Sequence, residues 1–209
     1  MGDLCQVVSE RYLELTNRNY VYNIMPMDNI VSIMNHGILC YHEAEKLPMH
    51  SSIAMNDVQI RRESIQLRGK SLHDYVNMYF SYRNPMMYKR RIYADSLCVL
   101  AIASSVLDLA GCVVTDQNAA SSTVRFYDAD IGIEYIDYNK VFADNWIHED
   151  DAYETAMHKK IKCAEILVPN RLSFDYVVGA YVVSEGAKKE LLERGFPKKI
   201  RVEPLAFFR

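Results

Sequence analysis

The sequence of 209 residues predicts an α+β fold. Several short apolar segments are bounded by turn residues, only a few helical stretches lie between them, and no regular strand–helix alternation builds a parallel sheet. No internal repeat is evident, and no linker rich in Gly, Ser or Pro divides the chain. A single domain over residues 1–209 is expected, since domains run to roughly 100–200 residues.

Residues 3–17 read as an amphipathic helix, and YVYNIM (20–25) as a short strand. Asp28 is expected to cap a helix over roughly 29–36, which Gly37 ends as a C′ glycine. Residues 41–70 are polar and irregular and read as one long loop, a kind of segment that is often functional. SLHDYVNMYFSYRNPMMY (71–88) begins as a strand and turns at Asn84-Pro85. SLCVLAIA (96–103) is a buried strand, and CVVTDQNAAS (112–121) a strand followed by a helix start. CAEILV (163–168) is a strand stopped by Pro169. FDYVVGAYVVS (174–184) leads into the helix EGAKKELLERG (185–195), and IRVEPLAFF (200–208) is the last strand.

With 50% hydrophobic and 24% charged residues, the chain can bury a full core. The N-terminus carries acids within its amphipathic pattern and reads as no secretory leader, and no apolar run reaches the ~20 residues of a membrane span. Five scattered cysteines (5, 40, 98, 112, 163), never paired as CxxC, point to a reducing cytoplasm and away from structural zinc. No glycine-rich phosphate loop, HExxH or GxSxG motif is present, and isolated His36 and His42 suggest no metal site.

The net charge of −3 hides a strong asymmetry. Arg61, Arg62, Arg68, Lys70, Arg83, Lys89, Arg90 and Arg91 face only Glu63 and Asp74 within 61–91. Residues 128–151 hold eight acids against Lys140. A basic face and an acidic face follow, either as plain solvated surfaces or as a binding rim. Within the apolar run at 163–168 sits one carboxylate, Glu165. Burying it unpaired would cost several kcal/mol, so it is either an edge residue facing water or a paired functional group.

Five segments carry a resemblance. YNIMPMDNIVSIMNHGILC (22–40), HDYVNMYFSYRNPMMY (73–88), CVVTDQNAAS, KCAEILVP (162–169) and FDYVVGAYVVSEGAKKEL (174–191) follow in order. Together they resemble the DarT-type DNA ADP-ribosyltransferases, with Leu72-His73-Asp74-Tyr75 and the following Tyr79-Phe80 the most specific part. The resemblance implies an ADP-ribosyltransferase-like fold with a split, mostly antiparallel β core and flanking helices. It implies NAD as co-substrate, no metal, single-stranded DNA as acceptor, a toxin role, and an antitoxin with a macrodomain.

By position it implies that Glu165 is the catalytic glutamate and Arg62 the catalytic-loop arginine, with Arg61 as the alternative. Asn23 stands where a histidine contacts the adenosine-side ribose in many transferases, and Ile24 where the backbone binds the nicotinamide amide. Asn29, at the start of the helix that follows, is expected to bind NAD as well. Tyr79 stands at the tyrosine of the His/Tyr/Glu-type triad, and Tyr88 where a second ring sandwiches nicotinamide. Asn23 and Met25-Pro26 depart from the pattern of close relatives. Breaking the nicotinamide–ribose bond places positive charge on the sugar, which a carboxylate stabilises best where water is excluded. The same group can accept a proton from the attacking base. An arginine supplies a fork of donors for pyrophosphate or carboxylate, and tyrosine rings suit a flat cation.

A base must be unstacked to be modified, so a single strand is the accessible substrate. Its rim is expected at Arg61, Arg68, Lys70, Arg83, Lys89 and Arg90, joined by Lys159 and Lys160 of HKKIK (158–162). Acceptor choice is expected within roughly residues 146–162. Single-stranded RNA as acceptor, or a degenerate member that binds without turnover, are the alternatives.

Overall fold

The computed structural model describes residues 7–48, 51 and 56–209. Eight strands form its main sheet: β1 (Tyr20–Pro26), β2 (Tyr75–Tyr79), β3 (Leu97–Ala103), β4 (Val113–Thr115), β5 (Phe126–Asp128), β6 (Glu165–Pro169), β7 (Val177–Val182) and β8 (Lys199–Val202). Their order is β8-β7-β3-β1-β2-β6-β4-β5, and only β7 and β8 run parallel. The apolar runs read from the sequence are its centre: β3 is buried throughout its first six residues and pairs with β1 from Tyr20↔Ala103 to Pro26↔Leu97.

The sheet is split between β1 and β2, where the only register pair is Tyr22↔Tyr79. Beyond that pair the strands diverge, and the Asn23 side chain donates to the Asn77 carbonyl at 2.9 Å in place of a ladder bond. Such a bond satisfies a backbone oxygen that the opening sheet would otherwise strand.

Helices flank the sheet: α1 (Val8–Thr16), α2 (Ile30–His36), α3 (Asn56–Ser64), α4 (Pro85–Arg90), α5 (Ala152–Ile161) and α6 (Glu185–Glu193). Gly37 ends α2 at φ 78°, and a β-carbon there would stand 2.3 Å from the Leu172 carbonyl oxygen. Glycine alone meets both demands, so α2 passes directly into the pairing of Ile38–Leu39 with Arg171–Leu172. Asn84 caps α4, accepting from the Met87 N–H, with Pro85 at the first helical position.

Several expectations are corrected. Residues 41–70 are no single loop: they hold the helix Tyr41–Ala44, α3, and a hairpin pairing Gln66–Leu67 with Lys70–Ser71. Asp28 does not cap α2, which follows a 3-10 turn over Met27–Asn29; its carboxylate pairs with Arg194 at 2.8 Å. No helix follows β4, because Asn118 folds back into a turn in which its Oδ1 accepts from the Ala120 N–H. The last strand ends at Val202, and Pro204–Phe207 form a 3-10 turn. The expected first helix begins at Val8 within the described residues; Cys5 lies outside them.

Candidate active site

Glu165 opens β6, directly opposite Tyr79 of β2, and its side chain is fully buried. Strand alternation turns Glu165 and Leu167 to one face and Ile166 and Val168 to the other. Leu167 packs with Leu72, Tyr75, Val113 and Ala119 in a small second cluster, while Ile166 and Val168 join the main core. Glu165 therefore points away from the main core, toward the loop after β4.

That loop builds the carboxylate's seat. The β4–β6 ladder runs through Val113↔Leu167 and Val114↔Ile166 and then stops. At the next position the Thr115 hydroxyl accepts from the Glu165 N–H at 2.9 Å and donates to the Gln117 carbonyl at 2.6 Å. The chain then turns back, and the Asn118 side-chain amide and the Ala119 N–H each donate to Glu165 Oε1 at 2.9 Å. Arg62 supplies the charge, with Nη1 at 2.9 Å from Oε2 and 3.3 Å from Oε1. An ion pair this buried is tolerated because neutral donors satisfy the remaining lone pairs.

Arg62 reaches the site from α3, itself held against the start of β2 by a 2.8 Å bond between Gln59 Oε1 and His73 Nε2. Because a carbonyl oxygen accepts there, that imidazole nitrogen carries the proton. Burial pushes the His73 imidazole below its ordinary value, which favours this neutral form. Burial, with the charge of Glu165 adding, pushes the Tyr79 hydroxyl well above the ordinary tyrosine value, so it stays protonated.

A cavity of about 350 Å³ opens at the split. Arg62, Asn118 and Tyr79, which surround the carboxylate, line it together with Asn23, Ile24 and Asn29. Asn23 is buried, and its Oδ1 finds no partner among the described residues. The Asn29 side chain is spent on the chain itself, donating to the Ser51 carbonyl at 2.7 Å and accepting from the Ser51 N–H at 3.0 Å. Lys89 and Arg90 of α4 also line the cavity.

Other candidates lie elsewhere. Arg61 is 58% exposed on the same helix, with Asp57 at 3.4 Å; successive helix residues stand about 100° apart, and of the two it is Arg62 that reaches Glu165. The Tyr88 ring is not among those that line the cavity and lies edge-on to Trp146 and Phe208. Arg68 pairs with Asp128 of the acidic face, and Lys70 is exposed in the hairpin. Arg83 donates to the Leu205 carbonyl, and Lys159 and Lys160 sit on α5. Thr115, Asn118 and Ala119 were not singled out in the sequence. An Asn three residues past a strand, with its propensity for side-chain turns, is the signal that marks them.

Among the described residues, no group of three or more His, Cys, Asp or Glu is placed to hold a metal ion, and no helix is long and apolar enough to cross a membrane. A split, mostly antiparallel sheet with a buried, arginine-paired glutamate at its cleft defines an ADP-ribosyltransferase-like fold. A family model described as "ssDNA thymidine ADP-ribosyltransferase, DarT" matches residues 22–208. The chain belongs to the DarT family.

It is 28% identical over 205 residues to a "DNA ADP-ribosyl transferase-DNA ADP-ribosyl glycohydrolase fusion protein" of Thermosipho africanus, covering 90% of this chain but 49% of the fusion. The chain thus spans about half the length of that relative. It is 27% identical over 197 residues to a "DNA ADP-ribosyl transferase" of Thermus sp., covering 87% and 90% of the two chains. The structure of Thermosipho africanus DarTG in complex with ADP-ribose superposes with a TM-score of 0.80 at 26% identity, over 91% of this chain and 51% of that one. Thermus sp. 2.9 DarT in complex with ADP-ribosylated ssDNA shares the fold at a TM-score of 0.79 and 23% identity, over 91% and 97% of the two chains.

Proposed function

We propose that this chain, as one domain over residues 1–209, transfers ADP-ribose from NAD to the base of thymidine in single-stranded DNA and releases nicotinamide. The observation that carries the reading is the fully buried Glu165 carboxylate, paired with Arg62 beside a cavity at the split of the sheet. The cavity suits NAD: Asn23 Oδ1 is a buried acceptor in need of a donor such as a ribose hydroxyl, and Lys89 and Arg90 bring positive charge to its wall. The volume falls in the usual range of ligand sites, roughly 300–1,000 Å³.

Glu165 has two tasks in this reading. Its negative charge stabilises the sugar as nicotinamide leaves with the bonding electrons. It then accepts the proton that thymine's one ring N–H gives up as the new nitrogen–carbon bond forms. Oε1 is saturated by Asn118, Ala119 and Arg62, whereas among the described residues Oε2 is bonded by Arg62 alone. Oε2 is thus the atom that meets substrate, and Arg62 yields it by turning to the NAD phosphates, a partner suited to its fork of donors. Ile24 lends backbone groups to the nicotinamide amide, and the Tyr79 ring packs beside it.

The role we assign is that of a cytoplasmic toxin. The fused glycohydrolase of the Thermosipho relative supports a macrodomain-type antitoxin that removes the mark. Free, buried cysteines at 40, 98, 112 and 163 fit a reducing compartment. Incubation with labelled NAD and matched single-stranded DNA, RNA and protein should label the DNA. Label on protein alone would reject the nucleic-acid reading.

A further inference from the structure

We propose that the face presented by Tyr88, backed by Trp146 and Phe208, is a second nucleotide-binding surface, holding the nucleotides that flank the modified one in single-stranded DNA. The proposal rests on the acceptor reading above. Three distant segments meet here: α4 brings Tyr88, the stretch before α5 brings Trp146, and the end of the chain brings Phe208. The rings interlock edge to face, with centroids 5.9 Å (Tyr88–Trp146), 5.3 Å (Tyr88–Phe208) and 5.8 Å (Trp146–Phe208) apart. Such packing makes a rigid aromatic body in which Trp146 is only 7% exposed, so the ring it presents is that of Tyr88, 43% exposed, with Tyr93 of the following 3-10 turn 53% exposed.

The cations around it are oriented but uncompensated. Arg91 lies 4.0 Å over the Tyr88 ring and Arg83 4.6 Å over Phe208. Arg83 donates to the Leu205 carbonyl, Arg91 to that of Tyr88, and Arg209 to that of Arg91. Carbonyls and ring faces fix these guanidiniums without neutralising them. Among the described residues none of the three pairs with a carboxylate, and the acids close in sequence, Asp95, Asp144 and Glu203, enter no ion pair. By contrast, Arg11, Arg62, Arg68 and Arg194 each hold one.

A phosphodiester strand supplies the missing negative charge, and its unpaired bases stack on tyrosine rings and guanidinium planes. Position selects the same occupant. Lys89 and Arg90, adjacent to Tyr88 on α4, line the cavity, so a strand whose target base lies near Glu165 leaves over this helix. Trp146 also places the surface in the stretch expected to govern acceptor choice.

The test compares DNA oligonucleotides that share one thymidine target but carry either normal or abasic flanking nucleotides. With the unaltered protein, abasic flanks should raise the KM for DNA about 5- to 100-fold, the size of a lost base–aromatic stack. Tyr88→Ala should raise KM similarly on normal flanks and hardly at all on abasic ones, Tyr88→Phe should behave as the parent, and the KM for NAD should stay constant throughout. Labelling that ignores the flanks would overturn this surface alone. No labelling of any oligonucleotide would overturn the acceptor reading with it. Flank dependence on a matched RNA only would overturn the assignment to DNA. If Tyr88→Ala melts early, the comparison of flanks with the unaltered protein decides.

Discussion

Replacing Arg62 with methionine removes the cation from a carboxylate that has no access to water. Glu165 is 0% exposed and its ion pair with Arg62 spans 2.9 Å; the donors left behind, Asn118 and Ala119, are neutral. Truncating one partner of a buried ion pair costs about 3–5 kcal/mol, because the other charge stays desolvated. For a chain of this size each kcal/mol moves Tm by about 2–4 °C, so Arg62→Met should melt roughly 6–20 °C below the parent. Adding Glu165→Gln removes the stranded charge, and the double variant should recover much of that loss. Thermal unfolding followed by circular dichroism on the parent, both single variants and the double variant reads the cycle directly. If Arg62→Met melted within about 2 °C of the parent, or the double variant melted lower still, the buried pair would not be what holds α3 to β6.

Further outcomes follow from the same site. Asn118→Ala removes one of the donors that fix Oε1 and should lower kcat about 100-fold, with a smaller effect on the KM for NAD; equal kcat values would remove Asn118 from the positioning of the carboxylate. Lys162 is buried with its ammonium donating to the Val141 carbonyl at 2.8 Å, and burial pushes its pKa down from 10.5 to about 8. Between those values the unfolded chain binds this proton more tightly than the folded one, so the contribution of Lys162 to stability should rise by about 3 kcal/mol from pH 8 to 10.5 and stay level below it. Denaturant titrations across that range should show this rise in the difference between the parent and Lys162→Met, because the thiols of Cys98, Cys112 and Cys163, pushed up to about 12 by burial, lower the stability of both proteins over the same range. Exchanging residues 146–162 for the matching stretch of a relative should change the preferred DNA sequence, and unchanged products would place that choice elsewhere.

What the sequence made legible was the part whose physics is local. The apolar runs of β3 and β6, the Gly37 stop and the α6 helix are written in neighbouring residues, and Glu165 stood out because the strand around it is apolar. The remainder depends on partners far along the chain. α3 is a polar helix, NDVQIRRES, which reads as loop until Gln59 meets His73 and Arg62 meets Glu165. Asp28 looked like a cap because its competitor, Arg194, lies on another element. Tyr88 matched a nicotinamide position in one dimension, but Trp146 and Phe208 hold its ring outside the cavity. Asn118 passed unnoticed because its importance lies in the turn that returns it to β6.

Mass analysis of nucleosides digested from a thymidine-containing oligonucleotide, after incubation with NAD and the protein, asks most directly whether the group at position 165 drives glycosyl transfer to a base. A thymidine heavier by one ADP-ribose should appear with the parent chain and vanish with a folded Glu165→Gln variant. The same adduct formed at an undiminished rate by that variant, or unmodified nucleosides alongside nicotinamide released by the parent, would contradict it.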